Sequence, residues 1–193
     1  MHEPISLIQK WLGEEQLSGA PNPQQAVLAT CTNDKIPHAR VIAIREINDE
    51  GLLFFTQKNT RKVSEIKNNP SATLVFWFEL KQREIIVEGV VTTLTVEENN
   101  HYWLHYPREA QIRFSAYAPT SSQVIPNKNI LEAKRKQLDQ EFQNKALPIS
   151  PFYCGFRLKP ERIVFYAYRT DELSDVFEYV LINNTWVKQI CSP

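Results

Sequence analysis

Short runs of alternating apolar and polar residues dominate the chain and predict antiparallel β-structure. Asn, Asp, Gly and Pro residues, which favour turns, separate these runs. The predicted strands are residues 25–32, 38–46, 51–57, 72–79, 84–95, 152–158, 162–169, 176–182 and 185–190. Asn183 and Asn184 suit a hairpin turn between the last two strands. Short strands at such regular spacing are typical of an antiparallel barrel.

Four other stretches place apolar residues at helical spacing. Residues 4–17 predict an amphipathic opening helix, residues 60–68 and 96–106 predict two more, and residues 129–145 are strongly charged with one apolar seam. The seam comprises Ile130, Leu131, Leu138 and Phe142. We therefore expect one domain over residues 1–193, mainly β with peripheral helices (α+β), either complete in itself or completing its core by dimerisation.

Composition and charge narrow the function classes. The 22 basic residues balance 22 acidic ones, so no net field attracts nucleic acid or an anionic membrane. Cys31, Cys154 and Cys191 lack metal-like spacing, and their odd number argues against a disulfide framework. No signal-peptide pattern opens the chain, and no run approaches the roughly 20 apolar residues of a membrane span. We expect a soluble, cytoplasmic protein that binds neither nucleic acid nor membrane.

Two arginines lie on the second predicted strand. Strand alternation places His38, Arg40, Ile42 and Ile44 on one face and Ala39, Val41, Ala43 and Arg45 on the other. At roughly 3.3 Å per residue, Arg40 and Arg45 are about 16 Å apart, close to the length of a mononucleotide laid along the strand. Alternatively, both are surface arginines that lie over apolar neighbours.

A second pair of cations stands at the start of the second predicted helix. Arg61 and Lys62 oppose the positive end of the helix dipole, which costs roughly 0.3 to 1 kcal/mol each, and a bound anion would reverse that penalty. Backbone N–H groups there, together with the hydroxyls of Thr56 and Thr60, can coordinate a phosphate. The alternative is an N-cap by Asn59 or Thr60 with two solvated cations, and a cap and a phosphate site can coexist.

Apolar and aromatic residues supply the other half of a nucleotide site. Residues 76–89 form a two-strand apolar platform. With the cationic positions, this platform can hold a phosphate at one end and a flat ring at the other, which is what flavin mononucleotide (FMN) requires. Tyr102 and Tyr106, one helical turn apart, can present two hydroxyls to one ligand, although core packing is the default for aromatic residues.

Other chemistries find less support in the sequence. No Gly-x-Ser-x-Gly elbow, P-loop or glycine-rich dinucleotide turn occurs, and the chain has only five glycines. His101 and His105 have the (i, i+4) spacing of a metal-binding pair, but no third ligand lies nearby in the sequence. We therefore predict an exposed helix face at this pair rather than a metal site.

A series of landmarks in a fixed order covers nearly the whole chain. They are Trp11, residues 29–30, 40–45, 54–56, 60–62, 69–70 and 88–89, Tyr102, residues 111–112, Pro151, and residues 155–156 and 186–193. Taken together, they resemble the pyridoxamine 5'-phosphate oxidase family. The resemblance implies an antiparallel FMN-binding split β-barrel and a homodimer with FMN between its two subunits.

The resemblance also implies which residues bind the cofactor. The FMN phosphate would be bound by Arg40, Arg61 and Lys62, and the ribityl chain and the ring would be flanked by Phe55 and Thr56. The backbone beside them would come from Val41, Ile42, Ile44 and Arg45. The remaining positions near the flavin are Glu84, Ser121, Ser122, Tyr166 and Val176. Of these only Ser122 is also the family's residue. The family has glutamine in place of Glu84 and Ser121, tryptophan in place of Tyr166 and arginine in place of Val176.

The positions that would meet the substrate depart further from the family. They read Arg45, Tyr102, Tyr106, Ala110, Glu172 and Ser174. Only Tyr102 is unchanged, and the family's Arg-x-His pair has become Glu172 and Ser174. The changes remove up to two cations and add an anion, so a phosphate dianion would lose charge-assisted bonds worth roughly 1.5 to 3 kcal/mol each. We expect a less anionic aromatic or heteroaromatic substrate.

The family mechanism passes a hydride from a substrate carbon to FMN, and oxygen then reoxidises the flavin to give peroxide. Flavin oxidases of phenazine synthesis are similar in fold and differ in their pocket. Two alternatives stay open. One is authentic oxidation of pyridoxamine or pyridoxine 5'-phosphate to pyridoxal 5'-phosphate through Arg45, Tyr102 and Arg108. The other is a flavin-binding or ligand-sensing protein without turnover, and the sequence assigns no catalytic residue.

Overall fold

The computed structural model describes residues 3–193 of the chain. These residues form eight strands and five helices, joined by loops and turns. In chain order they are α1 Glu3–Leu17, β1 Gln25–Cys31, β2 Pro37–Asn48, β3 Gly51–Gln57, α2 Arg61–Asn68, β4 Ser71–Phe78, β5 Arg83–Thr93, α3 Val96–His105, α4 Arg108–Tyr117, α5 Asn129–Glu141, β6 Tyr153–Ala167, β7 Asp175–Ile182 and β8 Thr185–Cys191. The predicted mixture of α and β structure is confirmed.

All eight strands belong to one sheet. Their order is β3-β2-β1-β4-β5-β6-β7-β8, and β3 also pairs with β6. The additional pairing closes the first six strands of that order into a barrel and leaves β7 and β8 as an extension. Neighbouring strands pair antiparallel, for example β1 with β2 and β4 with β5. The antiparallel barrel predicted from the sequence is therefore confirmed.

Two glycines allow β6 to run close to its neighbours. A Cβ atom on Gly51 would lie 2.2 Å from the carbonyl oxygen of Leu158, and one on Gly89 would lie 2.0 Å from that of Lys159. Gly51 also has a φ of 126°, which residues with side chains rarely adopt. Because the neighbouring atoms belong to the backbone and cannot rotate away, the close approach of β6 requires both glycines.

Helix α1 packs on the sheet through one face. Ile5, Ile8, Trp11 and Glu15 recur at helical spacing and are buried. The ring of Trp11 lies edge-on to that of Phe165, with 5.2 Å between their centroids. The helix therefore contributes an aromatic contact to the core, and it also buries one carboxylate.

The chain divides into two compact units. The first comprises residues 3–54, 65–92 and 156–193, which include most of the barrel. The second comprises residues 55–64 and 93–155. The expectation of a single domain over residues 1–193 stays a prediction.

The second unit has its own hydrophobic core, built around Trp103. The core residues are Trp103, Ile112, Phe114, Ala118, Leu147 and Tyr153. The indole nitrogen of Trp103 donates a hydrogen bond to the carbonyl oxygen of Leu147 at 3.0 Å. Gln111, which is also buried, donates to the carbonyl oxygen of Trp103 at 2.5 Å. These bonds tie α3 to α4 and to the loop before β6.

Some element boundaries differ from the predicted ones. Helix α4 was not predicted: its core residues lie at positions 110, 112, 114 and 116, a spacing of two that hides the helical period. Strand β6 is continuous through Pro160, where the sequence suggested a break. Helix α5 ends at Glu141, four residues before the predicted end. Tyr106 caps α3 with extended backbone and does not belong to the helix.

Glu15 provides a test of how α1 is held. Its buried carboxylate accepts hydrogen bonds from the backbone N–H groups of Leu80 and Lys81, at 2.9 and 3.1 Å. Glu15→Ala leaves both donors without this acceptor, and we expect the free energy of unfolding to fall by about 2 kcal/mol, measured by urea denaturation. The exposed neighbour Gln16 supplies the control: Gln16→Ala should cost less than about 0.5 kcal/mol. Equal losses in the two variants would contradict this role of Glu15.

Candidate functional site

Arg40 lies near the start of β2, and its guanidinium group is held within the first unit. One terminal nitrogen, Nη1, donates to the carbonyl oxygen of Leu28 at 3.2 Å and to the hydroxyl of Thr30 at 2.5 Å. The other, Nη2, lies 3.3 Å from Oε2 of Glu65. The predicted phosphate ligand is therefore part of an ion pair, and its side chain keeps 21% of its surface exposed.

Glu65 is the centre of this cluster. Only 3% of the residue is exposed, and its carboxylate accepts a hydrogen bond from the Thr30 hydroxyl at 2.5 Å and lies 2.7 Å from Nδ1 of His38. Burial opposes its ionisation, but hydrogen bonds from Thr30, His38 and Arg40 outweigh burial and lower the pKa of the carboxyl group. Sequence reasoning missed Glu65 because α2 is so rich in charged residues that no polar position stands out.

Arg45 occupies an irregular position on β2. Ile44 pairs with Phe54 and Glu46 pairs with Leu53, so Arg45 is an extra residue in a bulge. The strict alternation predicted for this strand therefore holds only as far as Ile44, and the distance derived from regular strand geometry does not apply at Arg45.

The other predicted positions on β2 differ in exposure. Arg45 is exposed and lines a cavity of about 230 Å³ beside α1. Val41 is exposed, Ile42 is half-buried and Ile44 is buried. The side chains of Val41 and Arg45 are therefore the more accessible to a ligand, although Ile44 also lines the cavity.

Glu84 and Tyr166 lie near an aromatic group on the outer side of the sheet. Glu84 pairs across strands with Trp77, and the hydroxyl of Tyr168 lies 3.5 Å from its carboxylate. The ring centroid of Tyr168 lies 4.2 Å from that of Tyr166 and 5.4 Å from that of Trp77. Burial and the nearby Glu84 raise the pKa of Tyr168. Trp77 and Tyr168 stay 48% and 43% exposed, whereas aromatic residues here were expected mostly in the core.

Val176, which stands at an arginine position of the family, is buried. It pairs with Tyr166 on β6 and with Cys191 on β8. An apolar side chain there packs into the sheet extension and supplies no charge.

Glu172 and Ser174 lie in the loop between β6 and β7, where Arg169 holds both. The guanidinium group of Arg169 lies 3.5 Å from the Glu172 carboxylate and 2.7 Å from that of Asp175. Its backbone N–H donates to the Ser174 hydroxyl at 3.2 Å. The two predicted substrate residues therefore help to fix this loop, and the one arginine in it is already neutralised by two carboxylates.

In the second unit, donors gather at the start of α2. The amino group of Lys62 donates to the Thr56 hydroxyl at 3.1 Å. Arg61 is exposed, and within residues 3–193 it has no ion-pair partner. The Thr60 hydroxyl donates to the carbonyl oxygen of Gln57 at 2.9 Å and so fixes the turn before the helix. The structure thus joins Lys62 to Thr56 beside the exposed Arg61, and their role in binding a phosphate stays a prediction.

Gln57 is a candidate that sequence reasoning missed. The residue is 1% exposed, and its side-chain oxygen accepts a hydrogen bond from the backbone of Ser121 at 3.3 Å. Its side-chain nitrogen has no hydrogen-bond partner in the described chain. Ser122 follows with a positive φ of 62°. Buried donors are rarely left unpaired, so this amide is a candidate donor to a ligand oxygen.

The two predicted substrate tyrosines adjoin the aromatic core of the second unit. The rings of Tyr102 and Phe55 are 5.2 Å apart, and Phe55 stacks on Tyr153 at 4.9 Å. The ring of Tyr106 lies 6.2 Å from that of Tyr153. Ala110 is buried. The structure therefore places Phe55 and Tyr106 beside Tyr153, and Tyr102 beside Phe55.

Three other residues considered from the sequence have structural partners. Arg108 pairs with Asp139 at 2.5 Å and so joins α4 to α5. His101 and His105 lie side by side, with Nδ1 of His105 2.8 Å from the carbonyl oxygen of His101. Over residues 3–193 no group of three or more His, Cys, Asp or Glu side chains is arranged to hold a metal ion.

Comparison with known proteins gives matches over nearly the whole chain. The family model described as pyridoxamine 5'-phosphate oxidase matches residues 12–141, and the model of the pyridoxine 5'-phosphate oxidase C-terminal dimerisation region matches residues 153–193. The pyridoxine/pyridoxamine 5'-phosphate oxidase of Alteromonas mediterranea is 35% identical over 91% of this chain and 82% of its own. That of a Nostoc species is 30% identical over 98% of this chain and 88% of its own.

Solved structures show the same architecture. PhzG from Burkholderia lata, in complex with tetrahydrophenazine-1-carboxylic acid, superposes with a TM-score of 0.90 at 28% identity, covering 99% of this chain and 93% of that one. A pyridoxamine 5'-phosphate oxidase-related, FMN binding protein from Nostoc punctiforme has a TM-score of 0.83 at 15% identity, over 100% and 99% of the two chains. At that identity the second likeness concerns the fold alone.

The strand order, the closure of the barrel and these likenesses define a split β-barrel of the oxidoreductase type. The chain belongs to the pyridoxamine 5'-phosphate oxidase family, since the family model spans residues 12–141 and the relatives align along nearly the full length. Within residues 3–193, no helix is both long and apolar enough to cross a membrane.

Proposed function

We propose that this chain binds FMN and uses it to oxidise a small heteroaromatic compound that carries less negative charge than a phosphate ester. The observation that carries the proposal is the donor set at the start of α2. Lys62 is held on the Thr56 hydroxyl, and Arg61 has no ion pair within residues 3–193. Two cations in the first turn of a helix are unfavourable until an anion binds there.

The residues present fit FMN in chemical type. The phosphate needs cations and N–H donors, which Arg61, Lys62 and the backbone offer at the start of α2. The resemblance to the family assigns Arg40 to the phosphate as well. The unpaired, buried side-chain nitrogen of Gln57 suits a ligand oxygen. Phe55, Thr56 and the backbone of residues 41–45 are assigned to the ribityl chain and the ring, with Glu84, Ser121, Ser122 and Tyr166 as further neighbours.

A bound FMN would supply the redox chemistry, as a hydride acceptor that oxygen could reoxidise. The residues of this chain bind and orient the reactants. Aromatic side chains such as Tyr102 and Tyr106 offer flat surfaces to a substrate ring. No side chain of this chain is assigned as an acid or a base.

The charge of the β6–β7 loop favours a weakly anionic substrate. Arg169 is neutralised by Glu172 and Asp175, and Asp171 adds a further negative charge. A phosphate dianion would approach a loop with a surplus of carboxylates, which repels it. The solved relative PhzG, which is bound to a tetrahydrophenazine carboxylic acid, supports a heteroaromatic substrate by analogy. The names of the curated relatives favour the alternative, oxidation of pyridoxine or pyridoxamine 5'-phosphate.

We also propose that the protein is a homodimer with FMN between its two subunits. The match of residues 153–193 to a dimerisation region supports the dimer. A row of apolar residues crosses the outer face of four strands in register. The row comprises Val41, Val27, Val75 and Ile86. Val41 is 61% exposed and Val27 38% exposed, so a second copy that covers the row would bury apolar surface.

Lys62 tests the phosphate assignment. Lys62→Ala removes a charge-assisted bond, so we expect the dissociation constant for FMN, measured by flavin fluorescence titration, to rise about tenfold or more. Binding of riboflavin, which lacks the phosphate, should change little. Lys58→Ala, at an exposed position of the same segment, serves as the control and should keep the affinity of the parent protein. Equal FMN affinity in the two variants would show that the phosphate lies elsewhere.

Stopped-flow spectroscopy of the FMN-loaded protein tests turnover. Mixed without oxygen, tetrahydrophenazine-1-carboxylic acid should bleach the visible flavin band faster than pyridoxine 5'-phosphate, because it carries a single carboxylate rather than a phosphate dianion. Faster bleaching by pyridoxine 5'-phosphate would favour the authentic oxidase. A flavin that neither compound reduces would favour binding without turnover.

Glu172 tests the charge of the β6–β7 loop. Glu172→Arg replaces an anion by a cation and should tighten binding of pyridoxine 5'-phosphate to the FMN-loaded protein about tenfold, measured by calorimetry, with flavin affinity unchanged. Glu172→Gln removes the charge but retains a polar side chain near Arg169, so it should give a smaller gain. If both variants bind the phosphate ester as weakly as the parent, the loop does not control substrate charge.

A further inference from the structure

We infer that His38 is a proton-sensitive positioning residue: through the carboxylate they share, it sets how much of the positive charge of Arg40 is available to the phosphate of a bound flavin. The inference rests on the proposed function, because it concerns the same phosphate. It assigns roles to His38 and Glu65 that the likeness to the family does not supply.

The geometry places one carboxylate between two basic side chains. Oε2 of Glu65 lies 3.3 Å from Nη2 of Arg40, and Oε1 lies 2.7 Å from Nδ1 of His38. The Thr30 hydroxyl links the groups, since it donates to Glu65 and accepts from Arg40, both at 2.5 Å. The side chains are only 4%, 21% and 29% exposed for Glu65, Arg40 and His38, so solvent screens their interaction weakly.

The protonation of His38 changes the charge of this group. With a neutral imidazole, the charges of Arg40 and Glu65 cancel, and an approaching phosphate meets a neutral pair. With a protonated imidazole, the same group carries a net charge of +1, and Glu65 is shared by two cations. Arg40 then has a larger share of its charge to offer an anion. Histidine is the side chain whose ordinary titration falls between pH 5 and 8.

The surroundings of His38 contain few other groups that titrate in this range. From β1 it faces Thr30, its cross-strand partner, and Cys31 follows opposite Pro37. From α2 it faces Glu65, and along its own strand the nearest charge is Arg40. The hydrogen bonds that lower the pKa of Glu65 keep this carboxyl group ionised near neutral pH. A proton taken up by the group near neutral pH therefore does not go to Glu65.

The test compares FMN affinity at pH 6 and pH 8 in the parent protein and in His38→Asn. Asparagine can still donate a hydrogen bond to Glu65 but does not titrate. The ratio of affinities, pH 6 over pH 8, should be at least about fivefold larger in the parent than in His38→Asn. His105→Asn, which removes an exposed histidine of the second unit, should keep the ratio of the parent. Riboflavin should give the same ratio in all three proteins.

Calorimetry in buffers of different ionisation enthalpy measures how many protons the parent protein takes up or releases when FMN binds. This second test needs no variant. The phosphate of FMN has a second pKa near 6, and cations favour its dianion, so the ligand itself releases protons on binding. Net proton uptake by the parent protein near neutral pH, absent with riboflavin, is therefore the expected sign of His38.

Two results would overturn the inference while leaving FMN binding intact. One is an equal affinity ratio in the parent and His38→Asn, and the other is net proton release by the parent. Failure of the parent to bind FMN at either pH would instead overturn the proposed function, and this inference with it. Near-ultraviolet circular dichroism of His38→Asn shows whether the variant is folded, and if it is not, the calorimetric sign alone decides.

Discussion

The close passage of β6 past two glycines is the constraint on which the rest of the first unit depends. Gly51 and Gly89 bring β3 and β5 so near to β6 that a single methyl group on either would overlap a backbone carbonyl. That contact closes the barrel. Arg40, Glu84 and Tyr166 lie on strands of this closed sheet, so the barrel fixes their backbone positions before any ligand binds. A site built on such strands needs little reordering when it binds.

The first unit buries two carboxylates, and each lies beside hydrogen-bond donors or basic side chains. Glu15 accepts two backbone hydrogen bonds and so fixes α1 against the turn between β4 and β5. Glu65 is surrounded by two basic side chains and a hydroxyl. An ionised group in a protein interior is tolerated only when it is paired in this way. The first carboxylate therefore contributes to stability, whereas the second also sets the charge of the arginine assigned to the phosphate.

The sequence predicted the barrel well because most strands are buried on one face only. Apolar and polar residues therefore alternate along them, and this alternation is visible in the sequence. It failed where burial follows another geometry. The apolar core residues of α4 lie two positions apart, which is a strand spacing rather than a helical one. The bulge at Arg45 interrupts the pairing of β2 without a recognisable sequence signal. Glu65 was missed because nothing local distinguishes a buried glutamate from an exposed one. The residues assigned to FMN came from a family resemblance rather than from periodicity, and their contacts with the flavin stay predictions.

The residues assigned to the cofactor and those assigned to the substrate have different electrostatics, and this difference is the physical basis of the proposed specificity. On the cofactor side, Lys62 and Arg61 stand where an anion relieves an unfavourable helix start. In the β6–β7 loop, the single arginine, Arg169, forms ion pairs with Glu172 and Asp175. The substrate that we propose would gain little from negative charge there and would bind through its ring and through hydrogen bonds. Aromatic contacts provide such binding without a charge requirement, so this chain should select substrates by shape and ring surface rather than by a phosphate.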